Sequence, residues 1–158
     1  MLEQQLFNAL SLGSVYALFA LGFTLIFGVL GVINLSHGPI FMLGSYVALL
    51  LVNTLAVPLW LALVGAMLLT GLIGLAVDYL ILRPLRARNV PHLIPMIATI
   101  GVAIMLTNLT QGLFGVESKR FPQGTIPEGS YNLGHLHITA LQVGIIAVSF
   151  VLMLVLLL

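Results

Sequence analysis

The feature that most limits how this chain can fold is a polar interruption in apolar sequence, Gly31-Val32-Ile33-Asn34-Leu35-Ser36-His37-Gly38-Pro39. Apolar residues run up to it from Leu6 and away from it to Val57. An amide, a hydroxyl and an imidazole within four residues, followed by Gly-Pro, do not continue a lipid-facing helix. Backbone groups freed at membrane depth must be satisfied by protein or by a water-filled cavity. Helices interrupted in this way line substrate paths in transporters. The interruption therefore points to a path rather than to a plain anchor.

The membrane setting follows from how little charge the chain carries. Of its 158 residues 61% are apolar and 6% charged, whereas soluble domains have about 25% charged residues. So few polar groups cannot cover a soluble core. The net charge of +1 and the lack of a long basic run argue against nucleic acid as a partner. With no cysteine, disulfides, thiolate metal sites and thiol catalysis are excluded. Met1-Leu2-Glu3-Gln4-Gln5 has no basic residue, and the apolar run after it exceeds the 7–15 residues of a signal core. It reads as a retained span.

Apolar runs predict an all-α, polytopic helical membrane protein with about five transmembrane segments. These are Leu6–Ile33, Ile40–Val57, Leu59–Leu82, Leu93–Phe114 and Leu141–Leu158, with a broken or re-entrant region between the first two. As a helix the first would be about 42 Å long, against a hydrocarbon core of about 30 Å. It must tilt, project, or contain the interruption. Residues 1–158 read as a single transmembrane domain. Loop 83–92 carries Arg83, Arg86 and Arg88 and no acid, which assigns it to the cytoplasm. Loop 115–139 is rich in Gly and Pro and charge-balanced, which suits an extracytoplasmic hairpin or lid. Small residues recur at helical spacing: Ala9, Gly13, Ala17, Ala20, Thr24 and Gly28 in the first span, and Ala62, Ala66, Thr70, Gly74 and Asp78 in the third. Both stripes predict close helix packing.

The candidate path residues are Asn34, Ser36, His37 and Gly38, with Tyr46 further along the second span. Pro39 suits the first turn of a helix, and Ser36 or His37 just before it would serve as cap. The exposed N–H groups and positive dipole end of that helix would favour an anionic group such as a carboxylate. The competing reading is an ordinary interfacial turn. Asp78 near Arg83 and Arg86 predicts a structural ion pair. No other carboxylate lies in a span, since Glu3, Glu117 and Glu128 are outside them. A proton- or sodium-driven carrier needs acids, or carbonyls of broken helices, near the midplane. Energy is therefore expected from a partner. Thr107, Asn108, Thr110 and Gln111 predict hydrogen bonds between helices. His135 and His137 would share a face of a strand, yet no acid or cysteine completes a set, and no metal site is expected. No catalytic or phosphate-binding motif is present.

Several runs in order then resemble one family, the permease subunits of branched-chain amino acid ABC importers of the Liv type, H-like. They are Tyr16-Ala17-Leu18, Gly22-Phe23-Thr24-Leu25-Ile26-Phe27-Gly28, Gly31 to Gly38, Met42-Leu43-Gly44-Ser45-Tyr46, Arg83-Pro84-Leu85-Arg86, Ala98-Thr99-Ile100-Gly101, and Phe114-Gly115 through Phe121-Pro122. Gly31 to Gly38 is similar to the family's Ile-Asn-Phe-Ala-His-Gly run. Pro39 stands where that family usually has an acid, and Tyr79 where it often has an arginine. The family's chains are nearly twice as long, so the resemblance implies the N-terminal portion of a permease domain, without the segment that docks on the ATPase. It implies a bacterial inner membrane location, a second permease subunit, two cytoplasmic ATPases and a periplasmic substrate-binding protein. ATP would be used by the partners, and no cofactor is expected in this chain beyond its contact with membrane lipid. The alternative is a small stand-alone channel or scaffold without ATPase partners.

Overall fold

The computed structural model describes residues 2–88, 90–122, 124–125, 129–133 and 136–157. Its elements in order are α1 (Leu2–Leu30), α2 (His37–Leu55), α3 (Leu59–Val77), a π turn (Asp78–Leu82), α4 (Arg83–Ala87), α5 (Leu93–Phe114), the strands β1 (Ser130–Leu133) and β2 (Leu136–Thr139), and α6 (Ala140–Leu157). From α3 through α4 the helix is continuous over 29 residues, Leu59–Ala87. The protein is thus an all-α polytopic membrane protein. Four helices, Leu2–Leu30, His37–Leu55, Leu59–Ala87 and Leu93–Phe114, are long and apolar enough to cross a bilayer. The expected fifth span falls short of that among the described residues. α6 has 18 residues, or about 27 Å of helix, with Leu158 outside them. Exposed large apolar residues such as Phe27, Phe41, Trp60, Leu68, Leu72 and Phe150 form a surface suited to lipid or to other helices rather than to water.

The chain divides into two compact units. One comprises Met1–Leu25 and Ile126–Leu158. In it β1 and β2 pair antiparallel, Ser130 opposite Thr139 and Leu133 opposite Leu136. This is the hairpin expected for loop 115–139; His135 and Glu128 lie outside the described residues. α6 opens with a capping box that the sequence spells as Thr139-x-x-Gln142. The Gln142 N–H donates to Thr139 Oγ1 at 3.3 Å and the Thr139 N–H to Gln142 Oε1 at 3.1 Å. The Gln142 amide also donates to Asn8 Oδ1 at 2.8 Å, which accepts from Gln4 Nε2 at 3.2 Å.

The other unit, Ile26–Thr125, packs α2, the α3–α4 helix and α5. Part of the third-span stripe is its seam: Ala62 and Ala66 are buried, and a methyl added at Gly44 of α2 would meet Thr70 at 3.4 Å, whereas a Cβ at Gly74 would meet nothing within 4 Å. At Gly65 an added Cβ would lie 2.8 Å from Leu51. Small residues let these backbones approach as membrane helices do. Val77, Val102 and Leu106 form the core, with Ile40, Ile73 and Ile81 against it.

Several expectations need correction. The first-span stripe shows no close packing among the described residues. Ala9, Gly13, Ala17, Ala20, Thr24 and Gly28 are exposed, and a Cβ at Gly13 or Gly28 meets nothing within 4 Å. Small side chains permit close approach without enforcing it, because each buries little area. Loop 83–92 is helical through Ala87. Pro84 lacks an N–H and its ring would strike the carbonyl four residues back. The π turn ahead of it, where the Arg83 N–H reaches back to the Asp78 carbonyl, shifts the ladder, and the helix continues. The polar end of α5 bonds to itself rather than to neighbours. Thr107 Oγ1 donates to the Ala103 carbonyl, Asn108 Nδ2 to Ile104 and Thr110 Oγ1 to Leu106, each at 2.8 Å.

Candidate functional site

At the polar interruption α1 ends on Gly31, whose φ of +65° a side-chain-bearing residue would resist. The Gly31 N–H donates to the Phe27 carbonyl at 2.8 Å, the bond of a left-handed helix cap. Exposure then alternates: Val32, Asn34 and Ser36 are buried, and Gly31, Ile33 and Leu35 exposed. The buried amide and hydroxyl satisfy each other. Asn34 Oδ1 accepts from the Ser36 N–H at 3.1 Å and the Ser36 O–H at 2.6 Å. Ser36 sits at the cap position of α2 without a side-chain cap bond; the N3 residue is Pro39, which has no N–H to give it, and the Ser36 proton goes backward to Asn34.

A residue 64 positions away completes the arrangement. Thr99 of α5, fully buried, accepts the Leu35 N–H on Oγ1 at 3.1 Å. Its proton goes to the Met96 carbonyl at 2.8 Å, with the Ile33 carbonyl at 3.4 Å as the other acceptor. Backbone freed by the interruption is thus bound to protein, as membrane depth requires.

This geometry narrows the expected anion cradle at the start of α2. A helix leaves its first four N–H groups without intrahelical partners. Here the Ser36 N–H is taken by Asn34 Oδ1, the His37 N–H donates to the Asn34 carbonyl at 3.3 Å, and Pro39 has none. The first helical bond, from Ile40 N–H to the Ser36 carbonyl at 3.0 Å, lies past Pro39. Pro39 costs the helix nothing, and α2 starts at His37 rather than at Ile40.

Cavities lie beside the interruption and further along α2. His37, Ile40, Phe41, Gly44, Ser45 and Ala48 of α2 line a groove of about 470 Å³ whose other wall includes Leu63, Ala66, Met67 and Thr70 of α3. Ser45, Tyr46, Leu49, Ser118, Lys119 and Phe121 line a cleft of about 190 Å³. A third cavity, of about 410 Å³, is lined by Phe27, Gly31, Val32, Ile33, His92, Leu93 and Met96. Of the residues singled out from sequence, His37 reaches the groove and Tyr46 the cleft. Asn34 and Ser36 are structural partners of each other, and Gly38 is half-buried in the first turn of α2. The Tyr46 ring rests on Phe114, centroids 4.9 Å apart and planes tilted by 34°. Sequence reading assigned no role to Thr99 or Lys119, and gave Thr70 only a part in helix packing. Thr99 had one local signal, a hydroxyl placed alone among apolar residues of a span.

Arg86 Nη2 bonds Asp78 Oδ1 at 2.5 Å, both side chains about one-third exposed at 34% and 33%. Arg83 lies instead over the Tyr79 ring, 5.6 Å from its centroid, within cation–π range. Among the described residues no three His, Asp or Glu side chains come together to hold a metal ion.

Residues 5–158 match the model of the family described as branched-chain amino acid transport system, permease component. The chain is 35% identical over 161 residues to the high-affinity branched-chain amino acid transport system permease protein BraD of Pseudomonas aeruginosa, covering 95% of this chain and 52% of that protein. It is 34% identical over 166 residues to the corresponding LivH protein of Escherichia coli, covering 97% and 53%. A probable LivH permease of Methanocaldococcus jannaschii is 33% identical over 116 residues, covering 73% and 35%. The chain spans about half the length of the first two. No solved structure matches it.

Proposed function

The chain belongs to the family of branched-chain amino acid transport system permease components, and on that premise we propose that it is a permease subunit of an ATP-driven importer of branched-chain or related amino acids. The observation that carries the reading is the family match over nearly the whole chain, residues 5–158. The geometry supports it with a helix interruption held rigid by side chains and bordered by cavities. In this reading residues 1–158 are the N-terminal part of a longer permease domain in a bacterial inner membrane. A second permease subunit completes the path. A periplasmic binding protein delivers substrate, and two cytoplasmic ATPases supply the energy, so this chain does no covalent chemistry. The 83–92 segment faces the cytoplasm and 115–139 the outside, by the excess of arginine in the former. His37 and Tyr46 line the path, while Asn34 and Ser36 hold its shape.

Uptake of radiolabelled leucine, isoleucine and valine tests this in cells that make the protein from its own locus. Deleting the locus should abolish high-affinity uptake, and unchanged uptake overturns the reading. His37→Ala should lower uptake about tenfold, the effect of one lost polar contact, with the protein still present in the membrane at its usual level.

A further inference from the structure

The groove and the cleft share two residues, Ser45 and Phe121. They adjoin along one face of α2, and their chemistry differs. The groove walls are almost all apolar: Ile40, Phe41, Gly44, Ala48, Leu63, Ala66 and Met67, with Ser45, Thr70 and His37 at intervals. The cleft gathers the hydroxyl-bearing Ser45, Tyr46 and Ser118 around Lys119. No carboxylate lines either one; Glu117, two residues from Lys119, is not part of the cleft wall. Ser45 commits its proton to the Met42 carbonyl at 2.7 Å, which leaves its oxygen to accept. Stacking on Phe114 fixes the Tyr46 ring and hence the direction of its hydroxyl.

Volume separates the roles further. Small-molecule pockets run to about 300–1,000 Å³, so the 470 Å³ groove is large enough for a side chain and the 190 Å³ cleft only for a head group. A cation among hydroxyls beside an apolar trough fits a ligand with an anionic end and a short aliphatic tail.

We propose that Lys119 and the Tyr46 and Ser118 hydroxyls receive the carboxylate of an aliphatic amino acid, whose side chain extends into the α2–α3 groove, while the Ser45 oxygen, its proton already given to Met42, is left to accept from the ammonium group. This deepens the transport reading and rests on it for the substrate class. It moves the carboxylate from the start of α2, where the Ser36 and His37 N–H groups are bonded and Pro39 has none, to the opposite end of the groove.

The test uses the wild-type chain and its variants in lipid nanodiscs with photo-leucine, a diazirine analogue of leucine, as probe. Wild-type protein should be labelled on the segments around residues 40–48 and 63–67, and excess leucine should compete. Lys119→Met should lower labelling about tenfold, the loss of a charge-assisted contact, and Lys119→Arg should retain most of it. Met67→Trp, on the exposed wall of the groove, should exclude the probe while leaving helix content unchanged by circular dichroism. Absence of labelling in the wild type overturns the site, even where cells import leucine. Labelling that Lys119→Met leaves intact overturns the carboxylate assignment, as does labelling displaced by anionic lipid but not by leucine. Labelling of the expected segments in a protein whose deletion spares uptake supports the site and overturns the transport reading instead.

Discussion

Two interruptions of helical backbone lie within the Ile26–Thr125 unit, and they are satisfied in opposite ways. At Gly31–Ser36 the helical ladder stops. Its polar groups pass to side chains: Asn34 for Ser36, and Thr99, 64 residues distant, for Leu35. At Asp78–Leu82 the ladder continues with one residue more per turn, the Arg83 N–H reaching the Asp78 carbonyl. The first interruption depends on tertiary structure, and α5 must be in place for it to hold. The second is closed by its own neighbours in sequence. A helix that must present a fixed gap to a ligand needs the first kind. A helix that needs only to accommodate Pro84 and re-aim its last turn can use the second.

The largest effect is expected where side chains alone satisfy buried groups. Asn34→Ala removes the acceptor of both the N–H and the O–H of Ser36, which is fully buried. Leaving buried donors without partners costs about 1–3 kcal/mol each. A loss of about 3 kcal/mol is expected in reversible unfolding in detergent. Asn34→Ala with Ser36→Ala should recover part of it by removing one orphaned donor. Next comes Thr99→Val, which keeps the shape and removes the acceptor of the Leu35 N–H. About 1–2 kcal/mol is expected, with Thr99→Ser close to wild type. A Thr99→Val protein as stable as wild type would mean that the interruption holds without α5, and the contrast with the π turn would fail.

How much of this was readable in the chain follows from the same contrast. The interruption was visible because Asn34, Ser36, His37, Gly38 and Pro39 are the wrong chemistry for lipid, which is a local property. Its partner was not, because Thr99 becomes informative only once α5 is packed against α2. The π turn left a local trace in Pro84, a residue that a continuing helix must accommodate, yet a proline after a span reads first as the end of that span. Helix bounds shifted by a few residues for similar reasons. Gly31, by adopting a left-handed φ, ended α1 before Ile33, and Asn34 let α2 begin at His37. The capping box of α6 was fully spelled out by Thr139 and Gln142. The stripes of α1 and α3 look alike in sequence and differ only in what lies against them.

The smallest effect belongs to the Asp78–Arg86 pair. Eight residues of regular α-helix turn about 80° past two full turns, so Arg86 would leave the side of the helix on which Asp78 stands. The π turn takes up that excess with its extra residue and returns Arg86 to the same side, where Nη2 meets Oδ1. The pair is therefore a consequence of the π turn rather than its cause. Both side chains are about one-third exposed, at 34% and 33%, and ion pairs with that access to solvent contribute about 0–1 kcal/mol. A double-mutant cycle of Asp78→Asn and Arg86→Gln should return a coupling within that range. Pro84→Ala removes the reason for the shifted ladder and should lower the coupling toward zero as the segment relaxes to α-helical register. A coupling of several kcal/mol, or one unchanged by Pro84→Ala, would make the ion pair the device that holds the π turn. The second interruption would then depend on side chains as the first one does.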